Sequence, residues 1–169
     1  MTSGRSIKCV VWDLDETLWS GTLLEDEEVV LRPGIREVLE TLDRRGILHS
    51  IASRNSESDA MARLEEFGIA DFFLYPQIHW NAKSSSVEAI AGDLALGLDA
   101  IAFVDDQAFE REEVAHVLPQ VWTIPAAEAL GLPDRPEMMP RFTTPESGMR
   151  RQMMRFEESR RGAEAEYVG

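Results

Sequence analysis

Five short apolar runs, separated by stretches of helical periodicity, restrict this chain to a narrow set of folds. Residues 7–12, 47–52, 100–104 and 121–124, with a fifth run inside the aromatic-rich 72–80, carry the apolar composition of buried strands. Between them the period changes. Pro33 can open a helix without losing a hydrogen bond, Ile35, Val38, Leu39 and Leu42 share one helical face, and Gly46 suits its C-terminal cap after Arg44 and Arg45. Ser56 or Ser58 caps a second helix with Met61, Leu64 and Phe67 inward, ending at Gly68. Ser85-Ser86-Val87-Glu88 has capping-box spacing, and Val87, Ile90, Ala91 and Leu94 form a stripe that runs to Gly97. Residues 110–118 read as a helix stopped by Pro119. Strands alternating with helices over short loops predict an α/β protein, a three-layer doubly wound parallel sheet with both faces covered.

Two segments depart from that grammar. Residues 19–31 contain Gly21, the acidic cluster Glu25-Asp26-Glu27-Glu28 and then Val29-Val30-Leu31, which predicts a β-hairpin flap with solvated acids near its tip. From Pro125 onward, Pro133, Pro136, Pro140 and Pro145 interrupt the chain, so 126–169 is expected to wrap over the 1–125 core in extended form before a terminal helix over 149–161. That helix carries Met149, Met153 and Phe156 at helical spacing and is expected to dock this stripe on the core. It is also the basic stretch of an acidic chain, so a surface for an acidic partner is the alternative.

A chain of 169 residues suits one domain with a real core. Its net charge of -14 argues against nucleic acid or an anionic membrane as partner, and it obliges any anion site to supply its own local positive charge. The single cysteine, Cys9, lies within the first strand, where a buried structural thiol is expected. Residues 1–6 are short and polar, unlike a secretory leader, and no apolar run nears the length of a membrane span, so the expected location is the cytoplasm. His49, His79 and His116 have no metal-site spacing and read as structural.

Chemistry gathers where strands end. The first delivers Asp13 and Asp15, the second Ser53-Arg54-Asn55, and the fourth Asp105-Asp106, with Lys83 just before the helix that leads to it. Parallel strands place all of these at one sheet edge, where open α/β sheets bind ligands. An Asp pair in a turn is commonly just solvated, a serine after a strand commonly a cap, and a lone lysine commonly exposed. Four such features in this order are harder to dismiss.

Asp13-x-Asp15-x-Thr17, Ser53, Lys83 and Asp105-Asp106 resemble the four motifs of the haloacid dehalogenase superfamily of phosphohydrolases. The resemblance implies a HAD-like Rossmannoid fold, Mg²⁺ as cofactor and an aspartyl-phosphate intermediate. It implies that Asp13 attacks phosphorus and that Asp15 is the general acid and base. Asp13, the Asp15 carbonyl, Asp105 and Asp106 would hold the metal, and Ser53 and Lys83 the phosphoryl oxygens, with Arg54 and Asn55 adding contacts. Hard Mg²⁺ prefers such oxygen ligands, and phosphoryl transfer depends chiefly on positioning and charge neutralisation. The spacing from Asp15 to Ser53 leaves no room for a large cap domain, so the site is expected to be capless beneath its flap.

Further strings resemble the FkbH-like subgroup: residues 8–15, Thr17-Leu18-Trp19-Ser20-Gly21, Ile78-His79-Trp80-Asn81-Ala82-Lys83 and Phe109-Glu110-Arg111. That likeness implies a small phosphorylated glyceryl-type acyl substrate, an acyl carrier protein as partner and a place in polyketide or other secondary metabolism. Ala52-Ser53-Arg54-Asn55 and Asp15-Glu16 depart from the subgroup's usual Cys-Ser-Lys-Asn and Asp-Asn. A capless phosphatase for sugar phosphates or phosphoproteins, and a catalytically silent carrier-binding domain, are the competing readings.

Overall fold

The computed structural model describes residues 4–26, 28–140 and 143–168, with side chains to 163. Five parallel strands form the sheet: β1 (Cys9–Trp12), β4 (Leu48–Ser53), β5 (Gln77–Ile78), β6 (Ile101–Asp105) and β7 (Trp122–Pro125). Their spatial order is β5-β4-β1-β6-β7, so the chain builds outward from β1 on one side and then crosses to build on the other. This topological switch beside β1 leaves a crevice at the strands' carboxyl ends.

Alternation along β1 assigns the layers. Val10 and Trp12 join one core cluster with Ile35, Leu39, Leu42 and Leu64, while Cys9 and Val11 join a second with Val87, Ile90 and Val114. Helices α1 (Ile35–Arg44) and α2 (Glu57–Glu66) therefore cover one face, and α3 (Lys83–Asp93) and α4 (Ala108–Val117) the other. The three-layer doubly wound sheet expected from the sequence is present. Cys9 is buried, and burial pushes its thiol well above the ordinary range, as befits a packing residue.

The flap pairs as predicted but over few residues. β2 (Trp19–Ser20) and β3 (Val30–Leu31) are antiparallel, and the tip between them is irregular. Asp26 caps that tip by accepting a hydrogen bond from the Thr22 N–H at 2.7 Å; Glu27, in the predicted acidic cluster, lies outside the described residues.

The strand expected inside 72–80 is β5, preceded by a 3₁₀ turn at Ala70–Phe72 and an isolated bridge from Phe73 to His49. Two local expectations are corrected. Helix α3 begins at Lys83, before the Ser85 capping signature, and the Ser85 hydroxyl donates backward to the Ala82 carbonyl at 2.7 Å. The proline-rich segment is not extended: it coils into 3₁₀ helices at Ala126–Asp134, Pro136–Met138 and Pro145–Met149, and Ala129, Leu132 and Met138 are buried in the core.

The terminal helix α5 (Arg150–Val168) is docked by a different face from the one expected. Met149, Met153 and Phe156 are exposed, Phe156 at 72%, while Met154 packs against the second core cluster. Arginines make the attachment. Arg151 pairs with Asp43 at 2.9 Å and lies over the Phe72 ring. Arg155 donates to the Asp71 and Phe73 carbonyls, Arg150 to Gly46 O and Arg161 to Asp93 O. Planar guanidinium donors satisfy loop carbonyls that no apolar side chain could.

His49 sits fully buried in the middle of β4. Trp12 Nε1 donates to its Nδ1 at 2.9 Å, which leaves the ring proton on Nε2, 3.2 Å from the Leu39 carbonyl. Burial pushes its pKa down to about 3 from an ordinary 6.5. The unfolded chain takes up a proton here that the native state refuses, so this group removes stability as pH falls through that window. We expect a contribution of up to about 1.4 kcal/mol per pH unit. Urea unfolding of the wild type and His49→Gln across pH 4–7 tests this, and the acid-side slope should be shallower in the variant.

Candidate active site

The carboxyl ends of β1, β4 and β6 bring the motif residues together. β1 ends at Trp12 and β6 at Asp105, and the Asp13 N–H donates to the Val104 carbonyl at 2.9 Å, so the two acidic motifs are held side by side by sheet hydrogen bonding. Lys83, at the first turn of α3, reaches between them. Its Nζ lies 3.0 Å from Asp13 Oδ1 and 2.5 Å from Asp105 Oδ2, and all three residues are buried. The early start of α3 is what places this side chain at the edge.

Asp13, Asp105 and Asp106 each offer a carboxylate oxygen within 4.8 Å of the others. The Thr17 hydroxyl stands 3.4 Å from both Asp13 Oδ2 and Asp106 Oδ1. Negative charge exceeds positive charge at this point. Burial raises Asp13 well above the ordinary carboxylate range, Lys83 pulls it back and Asp105 pushes it up again. Asp106 is raised too, by burial first, with Asp105 adding to the effect. Burial alone would depress Lys83, yet its two aspartate partners hold it above its ordinary value. One ammonium among three carboxylates leaves a deficit that a dication fits, and an all-oxygen donor set suits a hard cation.

Asp15 occupies a separate position. Its Oδ1 accepts from Trp19 Nε1 at 3.0 Å and from the Leu23 N–H at 2.9 Å, and its Oδ2 accepts from Asn55 Nδ2 at 3.0 Å. The carboxylate is thus locked to the flap on one side and to the end of β4 on the other. Oδ2 has a single donor and keeps a lone pair for carrying a proton. Asp15's carboxylate is not in the metal-holding trio, so its metal role rests on the carbonyl that the sequence resemblance named.

The second-motif residues divide. Ser53 is buried at the end of β4, and Arg54 lines the cleft that also holds Asp13, Asp15, Lys83 and Asp106, 3.5 Å from Glu110. The Asn55 amide donates to Asp15 and its Oδ1 accepts from the Ser56 N–H, so the side chain orients Asp15. Several supports escape sequence reasoning. Nothing in the sequence assigns Trp19 or Arg111 a role at the site, yet the Trp19 indole donates to Asp15 and Arg111 donates to the Asp105 carbonyl at 2.9 Å. Glu16, in the left-handed region at φ 57, turns the chain between the motif and the flap, and its carboxylate accepts from the Gly21 N–H.

Fold, site and similarity to known proteins together support a phosphatase. Residues 19–78 match the family model of haloacid dehalogenase-like hydrolases. The chain is 29% identical to human magnesium-dependent phosphatase 1 over 132 residues, 67% of this chain and 73% of that one. Among solved structures it is similar to the N-terminal part of a Bacteroides fragilis protein containing a phosphatase domain complexed with Mg, at TM-score 0.68 and 25% identity. That likeness covers 81% of this chain, which spans 42% of the Bacteroides one. It shares its fold with 3-deoxy-D-manno-octulosonate 8-phosphate phosphatase from Moraxella catarrhalis, at TM-score 0.54, 18% identity and coverage of 89% and 84%. The human and Bacteroides likenesses are to phosphatases, and the Moraxella one shows the fold alone.

The charge deficit carries a prediction. Mg²⁺ at a hundred times its Kd should stabilise the wild type by about 2.7 kcal/mol, and Asp106→Asn should lose most of that increment. Thermal melts over a Mg²⁺ titration read it directly. Removing the central cation by Lys83→Met should cost about 3–5 kcal/mol, since buried Asp13 and Asp105 then lose their partner. Urea unfolding measures that loss.

Proposed function

We propose that this chain is a Mg²⁺-dependent phosphohydrolase or phosphotransferase that works through an aspartyl-phosphate on Asp13. The observation that carries the reading is the buried Asp13–Lys83–Asp105 cluster beside a separately anchored Asp15. Such a site needs a nucleophile, a proton carrier in reach of the leaving oxygen, and positive charge for the phosphoryl oxygens. Asp13, Asp15 and Lys83 have those properties in turn.

In the first step an Asp13 carboxylate oxygen bonds to phosphorus while the bond from phosphorus to the leaving oxygen breaks, and Asp15 gives that oxygen its proton. In the second, Asp15 takes a proton from water, the water oxygen bonds to phosphorus, and the bond to Asp13 breaks to release inorganic phosphate. Lys83 and Ser53 hold non-bridging oxygens, with Arg54 at the mouth. Asn55 and Trp19 keep Asp15 aimed. Asp13, Asp105, Asp106 and the Asp15 carbonyl would hold Mg²⁺, which supplies charge neutralisation at the phosphoryl group. The human relative's magnesium dependence and the Mg in the Bacteroides structure support this cofactor.

For substrate, the FkbH-like strings favour a small phosphorylated glyceryl-type acyl compound, with an acyl carrier protein as acceptor and a role in secondary metabolism. A capless site under a short flap is compatible with a carrier-borne substrate. Acyl transfer through Cys9 is not part of this reading, because that thiol is buried in β1.

Phosphate release from an aryl phosphate with Mg²⁺ tests the reaction. Asp13→Asn should lower kcat by ~10³-fold or more, and Asp15→Asn by about 10²–10⁴-fold. Activity surviving in Asp13→Asn overturns the nucleophile. Comparing acyl phosphates with sugar phosphates and phosphopeptides tests the substrate class, and equal rates across the three sink the acyl preference.

A further inference from the structure

Arg32 and Arg111 are unusual charges in an acidic chain. Each guanidinium is anchored through one nitrogen to backbone oxygen rather than to a carboxylate. Arg32 Nη1 donates to the Thr17 carbonyl at 2.7 Å and to the Ala126 carbonyl at 3.1 Å, and Arg111 Nη1 donates to the Asp105 carbonyl at 2.9 Å. Among the described residues neither forms an ion pair, so Nε and Nη2 of both keep their donor capacity. The carbonyls that anchor them belong to Thr17 and Asp105, two residues of the catalytic motifs, so the arginines are registered to the reaction centre rather than free on the surface.

Both line a cavity of about 420 Å³, with Ser20, Pro125 and Ala126 among its other walls. Glu16 and Asp106 border this cavity and also the cleft that holds Asp13, Asp15 and Lys83, so the two spaces adjoin. Among the described residues, the acids on the shared border form no ion pair with either arginine. Glu16 accepts from the Gly21 N–H, and Asp106 belongs to the metal-holding trio. Two half-buried guanidinium groups lining one cavity repel each other unless an anion lies between them. Planar, fixed donors of this kind match carboxylate and phosphate oxygens in paired hydrogen bonds.

We propose that Arg32 and Arg111 form a second anion site, which binds a negatively charged oxo group on the leaving-group side of the substrate. The inference rests on the phosphatase reading for the location of the phosphoryl group in the adjoining cleft. It narrows the substrate class to small phosphorylated compounds with a second anionic end, a carboxylate or a second phosphate. An uncharged sugar or alcohol phosphate leaves both guanidinium groups without a partner and binds less well. The site also answers how a chain of net charge -14 attracts an anionic substrate.

Equilibrium binding separates this claim from catalysis. Titration calorimetry with Mg²⁺ present compares three non-hydrolysable probes: 3-phosphonopropionate, propane-1,3-diphosphonate and propylphosphonate. At least one of the two probes with a second anionic end should bind the wild type about tenfold or more tightly than propylphosphonate. Which of the two gains more decides between carboxylate and phosphate. The gap should shrink by about tenfold in Arg32→Gln and Arg111→Gln and recover in part in the lysine variants, which keep the charge but lose the planar fork. Thermal melts confirm that each variant is folded. A wild type that binds all three probes equally, binds none, or keeps its preference in both glutamine variants overturns the proposal. If the preference is found but no phosphate is released from any ester, the anion site stands and the phosphatase reading fails.

Discussion

The rest of this structure is arranged around one buried ammonium. Lys83 lies between Asp13 and Asp105, and none of the three could be placed there alone, since an unpaired buried charge costs several kcal/mol. The sheet order follows from this need. β1 and β6 must be neighbours for their terminal aspartates to share a cation, and α3 must start near that same edge for the lysine to reach it. The parallel register of Cys9 with Ile101 through Trp12 with Val104 satisfies the first condition. The start of α3 at position 83 satisfies the second.

That cluster remains unbalanced even with its lysine. Burial raises Asp13, so its ionised carboxylate is less favoured than that of an exposed aspartate. A cation at the Asp13–Asp105–Asp106 trio reverses this by favouring the ionised carboxylate. Affinity for a dication and the ionisation of Asp13 thus depend on the same surplus of negative charge. Asp15 is spared that surplus because it is anchored by neutral donors, two from the flap and one from Asn55. Two aspartates two residues apart consequently meet different surroundings, as a division into nucleophile and proton carrier requires.

How far the sequence discloses this depends on the range of the interaction. Strands β1, β4 and β6 are readable because burial on both faces demands continuous apolar runs, and the residues that end them fall at one edge by topology alone. The start of α3 is not readable, since the Ser85 signature is a sound local cap that loses to a long-range requirement at Lys83. Asn55 looks like a phosphate ligand by position, and its commitment to Asp15 is visible just in space, across 40 residues of chain. The Met/Phe stripe of α5 is a comparable failure. Periodicity identifies an apolar face but not what awaits the helix, and here the receiving surface offers carbonyls of Asp71, Phe73 and Asp93, which select arginine.

The flap links Asp15 to the cavity lined by Arg32 and Arg111. Trp19 and Leu23 hold Asp15 from the flap, while Arg32, just beyond β3, grips the Thr17 carbonyl within the first motif. Glu16 joins the two by accepting a left-handed backbone, a strained choice for a side chain that is not glycine or asparagine. An asparagine would take this conformation more readily. The glutamate instead brings a carboxylate that accepts from the Gly21 N–H and tethers the flap. A flap tied at Asp15, Glu16 and Thr17 cannot shift without moving the residues that carry out the chemistry. Its side chains, with Arg32 behind them, therefore fix one wall of the cavity beside the carboxylate cluster.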